Sequence, residues 1–463
     1  MRIVFDITTS LHWKGPAVGI VRVEQGIAQA FFEKAELRDQ LVFVSYDKND
    51  KKFQEIQKDQ AIKHTRLCQA VISQNSVNKS LDEVDLRNWL TIKERLQKLL
   101  NGIELIWDAF FQWEKKPIKK SLITRLWTQL RKGSFFQKLK KRQQSALPSY
   151  KDNNSFQFSN EDIYLSFGLD WEDKDLDCLL QLKKEHSITT FLCSYDIIPY
   201  ICPQHVSPES YDEILAYIKR LLKTSDHLMT ISCHSKKDLE KFCNKEGIMP
   251  PHAIHPIHIA YQSFGDASQA TFKELAFSRK ETFLLTVGSI DSRKNIDLLY
   301  RIWQKLEEDN YPDIPHLVIV GRVGWDAEML VKSMRTHPRL KQKIHILDNI
   351  DDNCLAWLYE NCYFFLYPTY YEGFGLPLAE VMLHGKFALA SDTSSLPEVS
   401  KGLAEHLDPR DFYAWYKNIC FYLENPDVLA EKERHIQNNF KERIWDDVVT
   451  EIINIIKPNP VIP

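Results

Sequence analysis

Tyr371-Glu372-Gly373-Phe374-Gly375-Leu376-Pro377-Leu378-Ala379-Glu380 decides how the rest of the chain is read. Its glycines free the backbone for close approach to a ligand. Pro377 is placed to open a helix at its first position. The exposed N–H groups and positive end of that helix suit a diphosphate. Glu380, one turn in, is placed to accept hydrogen bonds from ribose hydroxyls, and Glu372, ahead of the turn, to face a second polyhydroxyl group. The plain alternative is a capped surface helix with two solvated acids. The flanks argue against it: an apolar strand, Tyr363–Tyr367, comes before, and Gly385, a helix stop, and a second strand, Phe387–Ala390, come after.

The same alternation runs outward in both directions. Short apolar runs are predicted as strands at Ile3–Phe5, Leu41–Ser45, Ile103–Trp107, Ile163–Phe167, Thr190–Tyr195 and Leu228–Ile231, with helical spacing between them. After a polar stretch at Asp266–Lys280 the pattern restarts at Phe283–Gly288 and continues through His316–Gly321 and Ile344–Leu347. This predicts an α/β protein of two doubly wound, Rossmann-like domains, each a parallel sheet covered on both faces. The expected domains are residues 1–270, with an insertion at about 113–155, and residues 271–444. An amphipathic helix and tail over 445–463 would pack on one of the two. Ligands of such folds bind outside the carboxyl ends of the strands, where Glu372 falls.

Bulk properties narrow the class. The 463 residues are 44% hydrophobic and 27% charged, with a formal net charge of −3, so nothing global points to nucleic acid. Nine cysteines are scattered without C-x-x-C or zinc-like spacing, which predicts reduced thiols in a cytoplasmic protein. Strand-like residues Arg2–Asp6 begin at once, so no signal peptide is expected, and no apolar run has the length of a membrane span.

A second cluster follows the first strand of the later domain, Val287-Gly288-Ser289-Ile290-Asp291-Ser292-Arg293-Lys294-Asn295. Gly288 permits close approach, and Arg293 and Lys294 carry positive charge suited to a departing diphosphate. Alone, the segment would pass for a basic loop. In the first domain, Gly19 near a helix start could face the same phosphates. Asp196, after another strand, is either a carboxylate at the site or a turn residue satisfying its own backbone.

Together these segments resemble the retaining glycosyltransferases of family four, of GT-B architecture. The resemblance rests on Gly288–Asn295, Glu372–Glu380, Tyr195-Asp196-Ile197-Ile198-Pro199 and Ile231–Leu239. It covers most of the chain except about residues 50–100 and 113–155. It implies metal-independent transfer from a nucleoside-diphosphate sugar, with no cofactor and with retained anomeric configuration. Glu372 would hold donor-sugar hydroxyls and Glu380 the ribose, while Arg293 and Lys294 bind the diphosphate. The N–H groups of Phe374, Gly375 and Leu376 would cradle the sugar–phosphate. Where many relatives carry histidine before the aspartate, this chain has Tyr195. Among bacterial members, Asp6–Gly19 with Gly-Ile-Val-Arg, and Tyr195–Pro199, look most like enzymes of O-antigen or other surface polysaccharide, including mannosyl- and rhamnosyltransferases.

Residues 115–142 carry eleven Lys or Arg and no acid, among Leu122, Ile123, Leu126, Trp127, Phe135 and Phe136. A basic amphipathic segment suits an anionic membrane and a lipid-linked glycan acceptor, or else packs on protein. Two other readings stand beside transfer. One is a non-catalytic protein holding a nucleotide sugar or glycan. The other is a metal-dependent transferase using Asp173 and Asp175 as a D-x-D site, against which those residues read as a solvated helix start. No G-x-G-x-x-G follows a strand, and no H-E-x-x-H is present.

Overall fold

The computed structural model describes residues 2–13, 19–73, 155–206, 208–272, 281–324 and 326–457. Among these, the first half forms a seven-stranded sheet: β1 Ile3–Asp6, β2 Leu41–Asp47, β3 Lys52–Ile56, β4 Ile163–Ser166, β5 Thr189–Ser194, β6 His227–Thr230 and β7 Ala253–Pro256. Its order is β3-β2-β1-β4-β5-β6-β7. The second half forms a six-stranded sheet of β8 Phe283–Val287, β9 His316–Val320, β10 Ile344–Leu347, β11 Phe365–Tyr367, β12 Ala388–Ser391 and β13 Glu405–Leu407. Its order is β10-β9-β8-β11-β12-β13, parallel throughout.

The central strands are buried from end to end, as in β1, β4, β9 and β12, because helices cover both faces. The expected strands are present with shifted ends, apart from Ile103–Trp107, which lies outside the described residues. Three strands were not anticipated, and all are short edges or near-edges with polar content: β3, β7 and β13. The expectation of a wholly parallel first sheet is corrected by β3, which runs antiparallel to β2. A seven-residue strand and a short turn let the chain double back without a crossover helix.

Both sheets change direction at their centres, between β1 and β4 and between β8 and β11. These are the switch points at which open α/β sheets leave a crevice beyond the carboxyl ends. The loops after β8 and β11 hold Gly288–Asn295 and Pro368–Gly375. The last helix, Trp445–Ile456, packs on Gly19–Glu33 of the first half. Gly26 is needed there, since a side-chain carbon would come within 2.2 Å of the Trp445 indole. Two Rossmann-like halves with the terminal helix returned to the first make up the GT-B architecture.

Candidate functional site

The site is assembled from two loops at the switch point of the second sheet. After β8, Ser292–Lys294 makes a single tight turn capped by Asp291, whose side chain accepts from the Lys294 N–H. Asn295 then takes a left-handed conformation, φ 54°, and its amide donates to the carbonyls of Pro368 (3.1 Å) and Pro409 (2.9 Å). The Arg293 carbonyl accepts from the Tyr370 N–H at 2.8 Å, and its guanidinium donates to the Tyr371 carbonyl at 2.6 Å. The loop carrying the cations is thereby tied at three points to the loop carrying Glu372, and at a fourth to Pro409.

Three charges converge. Lys294 Nζ lies 2.5 Å and Arg293 Nη1 3.1 Å from Glu372 Oε1. Lys294 also donates to the Tyr367 hydroxyl at 3.1 Å. Burial pushes the Glu372 carboxyl up, but Lys294 and Arg293 outweigh it and hold it at about 2. Burial draws the Lys294 ammonium down, opposed by Glu372 and aided by Arg293. Behind this trio, Ser394 accepts from the Glu372 N–H (2.9 Å), and Ser395 donates to the Glu372 and Phe374 carbonyls. Neither serine was signalled by spacing, because they lie some twenty residues downstream.

Gly375 takes φ +99°, and the helix Leu376–Leu383 starts immediately after it, with Pro377 in its first turn. Among the described residues, the N–H groups of Phe374, Gly375 and Leu376 donate to no protein acceptor. Three free amides at the positive end of a helix are an anion seat. Gly288 closes the other side, where an added side-chain carbon would meet the Lys294 stem at 3.1 Å. Gly321, after β9, is pressed so tightly on Gly288 that any side chain would collide with the Gly288 carbonyl.

Glu380 does not join the trio. It sits one helical turn deeper and half-buried, accepting from the Tyr359 hydroxyl at 2.8 Å. Burial raises its carboxyl, while Tyr359 and Arg22 oppose the rise. Arg22, in the helix begun by Gly19, crosses from the first half to contact both oxygens of Asp352 at 3.1 and 3.2 Å. Gly19 itself is open, with nothing within 4 Å of where a side chain would stand.

Asp196 makes the turn contact anticipated for it and borders the Glu372 turn. Its Oδ1 accepts from the Ile198 N–H at 3.0 Å, an ordinary turn, while Oδ2 lies against Gly373, where an added carbon would approach to 3.0 Å. Burial raises its carboxyl, the Ile198 bond and Arg293 oppose, and Glu372 reinforces. Ser232 and Ser235, from the first half, both donate to the Gly373 carbonyl, and Tyr371 bonds Asp238. The halves therefore meet at the Glu372 turn.

Asp175 of the D-x-D triplet stands at a helix start. Asp175 is spent capping the helix Leu176–His186, accepting from the Asp177 and Cys178 N–H groups. Lys174 is not solvated; it is buried 2.7 Å from Asp170 and 3.3 Å from Asp6, at the switch point of the first sheet. Nearby Glu24 is fully buried, and burial pushes its carboxyl up to about 8, with Lys174 opposing. This polar core joins residues 6, 24, 170 and 174, separations no local pattern reveals.

The basic segment 115–142 lies outside the described residues. Among the described residues, no helix is long and apolar enough to cross a membrane.

Residues 267–443 match the family described as glycosyl transferases group 1. The chain is 26% identical over 277 residues to the O-antigen chain mannosyltransferase B of Escherichia coli, covering 59% of this chain and 70% of that one. It is 28% identical over 279 residues to the O-antigen chain mannosyltransferase RfbU of Salmonella typhimurium, covering 59% and 71%. Among solved structures, sucrose-phosphate synthase from Thermosynechococcus elongatus superposes with a TM-score of 0.48 at 17% identity, covering 64% of this chain and 72% of that one. The sheet that carries Arg293, Lys294, Glu372 and Glu380 thus lies within the stretch that matches this family.

Proposed function

We propose that this chain transfers a hexose, mannose or rhamnose by preference, from a nucleoside-diphosphate donor to a growing, lipid-linked surface glycan with retention of anomeric configuration. The observation that carries the reading is the buried Lys294–Glu372–Arg293 cluster beside three free amides at a switch point. A diphosphate on Phe374–Leu376 competes with Glu372 for the two cations. Glu372 is then released toward the donor-sugar hydroxyls, and Glu380 toward the ribose. As the glycosidic C–O bond to phosphate breaks, charge builds on the departing oxygen, where fixed cations and amides are most effective. That oxygen can take the acceptor's proton on the same face, so no side-chain base is assigned. Asp196, against Gly373, borders the place where donor sugar and acceptor would meet.

The preference for mannose and for O-antigen-type glycan follows the relatives' names. Metal plays no part in the proposed transfer, and a D-x-D reading is opposed by the capping role of Asp175 and the buried Lys174. Placement on the cytoplasmic face of a membrane, through residues 115–142, belongs to the same proposal. A non-catalytic binder would hold the nucleotide sugar without release. The deciding experiment incubates the purified protein with GDP-, UDP- and dTDP-sugars and a lipid-linked acceptor and identifies the nucleotide set free. Binding of one donor without acceptor-dependent release would favour the binder.

A further inference from the structure

Away from the Glu372 trio, three metal-ligating side chains meet where the two halves touch. Cys233 opens the helix Cys233–Glu246 of the first half, His258 follows β7 by two residues, and Glu398 lies in the helix Leu396–Ser400 of the second half. The Cys233 thiol, a ring nitrogen of His258 and a carboxylate oxygen of Glu398 all fall within 4.8 Å of one another. Glu398 Oε1 is 2.6 Å from His258 Nε2. The same carboxylate accepts the Cys233 N–H at 2.7 Å and the His234 N–H at 3.2 Å.

Those bonds leave it capacity, since a carboxylate offers about four lone-pair sites. The cluster is a sulfur, nitrogen and oxygen set with a side open to solvent, the donor chemistry of zinc and its neighbours. Tetrahedral bond lengths of roughly 2.0–2.3 Å set ligand atoms about 3.5 Å apart, a small closure for partly exposed side chains. We infer that Cys233, His258 and Glu398 bind a divalent transition metal, of zinc type, as a clamp across the two halves. In the metal-free protein the His258 imidazole and the Cys233 backbone N–H both hydrogen-bond to one carboxylate. The ion takes the place of the imidazole bond: the thiol proton leaves to solvent, and His258 binds through Nε2 with its remaining proton on Nδ1. Water fills the fourth position. His258 also packs on the Phe374 ring, centroids 6.3 Å apart, which couples the clamp to the turn that bears Glu372.

The test needs no glycosyl transfer. Full-length protein, stripped with chelator, is titrated with Co²⁺ and followed for the near-ultraviolet thiolate-to-cobalt band, then with Zn²⁺ against a chromogenic chelator. One equivalent, a Zn²⁺-dependent rise in melting temperature, and loss of both in Cys233→Ser and in His258→Ala are expected, with affinity lowered tenfold or more. Circular dichroism identifies a variant that has not folded, and the other then gives the same reading. Absence of the band, its survival in Cys233→Ser, or a Zn²⁺ shift equal in wild type and both variants would leave only a hydrogen-bonded latch and overturn the inference.

Discussion

Glu372→Ala removes the only carboxylate within ion-pair distance of Lys294 and Arg293 among the described residues, and leaves a buried ammonium and a half-buried guanidinium without their counter-charge. Breaking a buried pair from one side costs about 3–5 kcal/mol. With unfolding entropy near 2.1 cal/mol/K per residue, a chain of this length changes by about 1 kcal/mol per kelvin, so the melting temperature should fall by about 3–5 °C. Nucleoside diphosphate should restore more than that deficit suggests. In the wild type the diphosphate must first displace Glu372 from the cations; in the variant they are already free. Ligand at a hundred times its Kd stabilises by about 2.7 kcal/mol, and the tighter variant should exceed the wild type at equal concentration. Scanning fluorimetry with and without GDP or UDP reads both numbers, and a transfer assay should show no turnover. Equal ligand-induced shifts in the two proteins would refute the idea that Glu372 guards the diphosphate seat.

Lys294→Ala should lower turnover by about 10²–10³ while changing donor affinity far less, because its charge matters most as the phosphate departs; steady-state kinetics with separate donor titration checks this, and unchanged turnover removes the role. Glu24→Gln addresses pH. The Glu24 carboxyl sits at about 8 in the fold, above its ordinary value, so wild-type stability should decline as pH rises from about 5 to 8, by up to about 1.4 kcal/mol per unit. The glutamine variant should lack that slope, and urea midpoints differing by the same amount at every pH would contradict the assignment. Gly375→Ala places a side chain at φ +99° and 2.6 Å from the Leu396 methyl, so a loss of roughly 1–3 kcal/mol and of donor binding is expected, read by urea unfolding and nucleotide titration.

What the sequence disclosed was local. The turn at Glu372–Leu376 and the loop at Gly288–Asn295 each announce themselves within a dozen residues, as an apolar strand broken by glycine and followed by helical spacing. Their meeting could be inferred because both close strands of one sheet. Glu380 was placed one turn into the helix, and that turn sets it apart from the cations and within reach of Tyr359, a partner no local pattern announces. β3, β7 and β13 escaped notice because strands at or near a sheet edge need less apolar content, and Glu405-His406-Leu407 is half-buried throughout. Lys174 shows the strongest limit. Its neighbours in sequence are acidic, which suggests solvent, yet its ammonium is held inside by Asp6, 168 positions earlier, and by Asp170.

The chain passes between its halves twice, once after β7 and again before Trp445. At that second passage Arg443 and Tyr261 exchange backbone hydrogen bonds of 3.0 and 3.1 Å, stapling one passage to the other. Two strands of rope tied at a single knot behave as one axle. Any rotation of one half against the other would then pivot about Tyr261–Arg443, and the seam carrying Ser232, Asp238 and Glu398 would part as a door does, widest at the edge farthest from the pin.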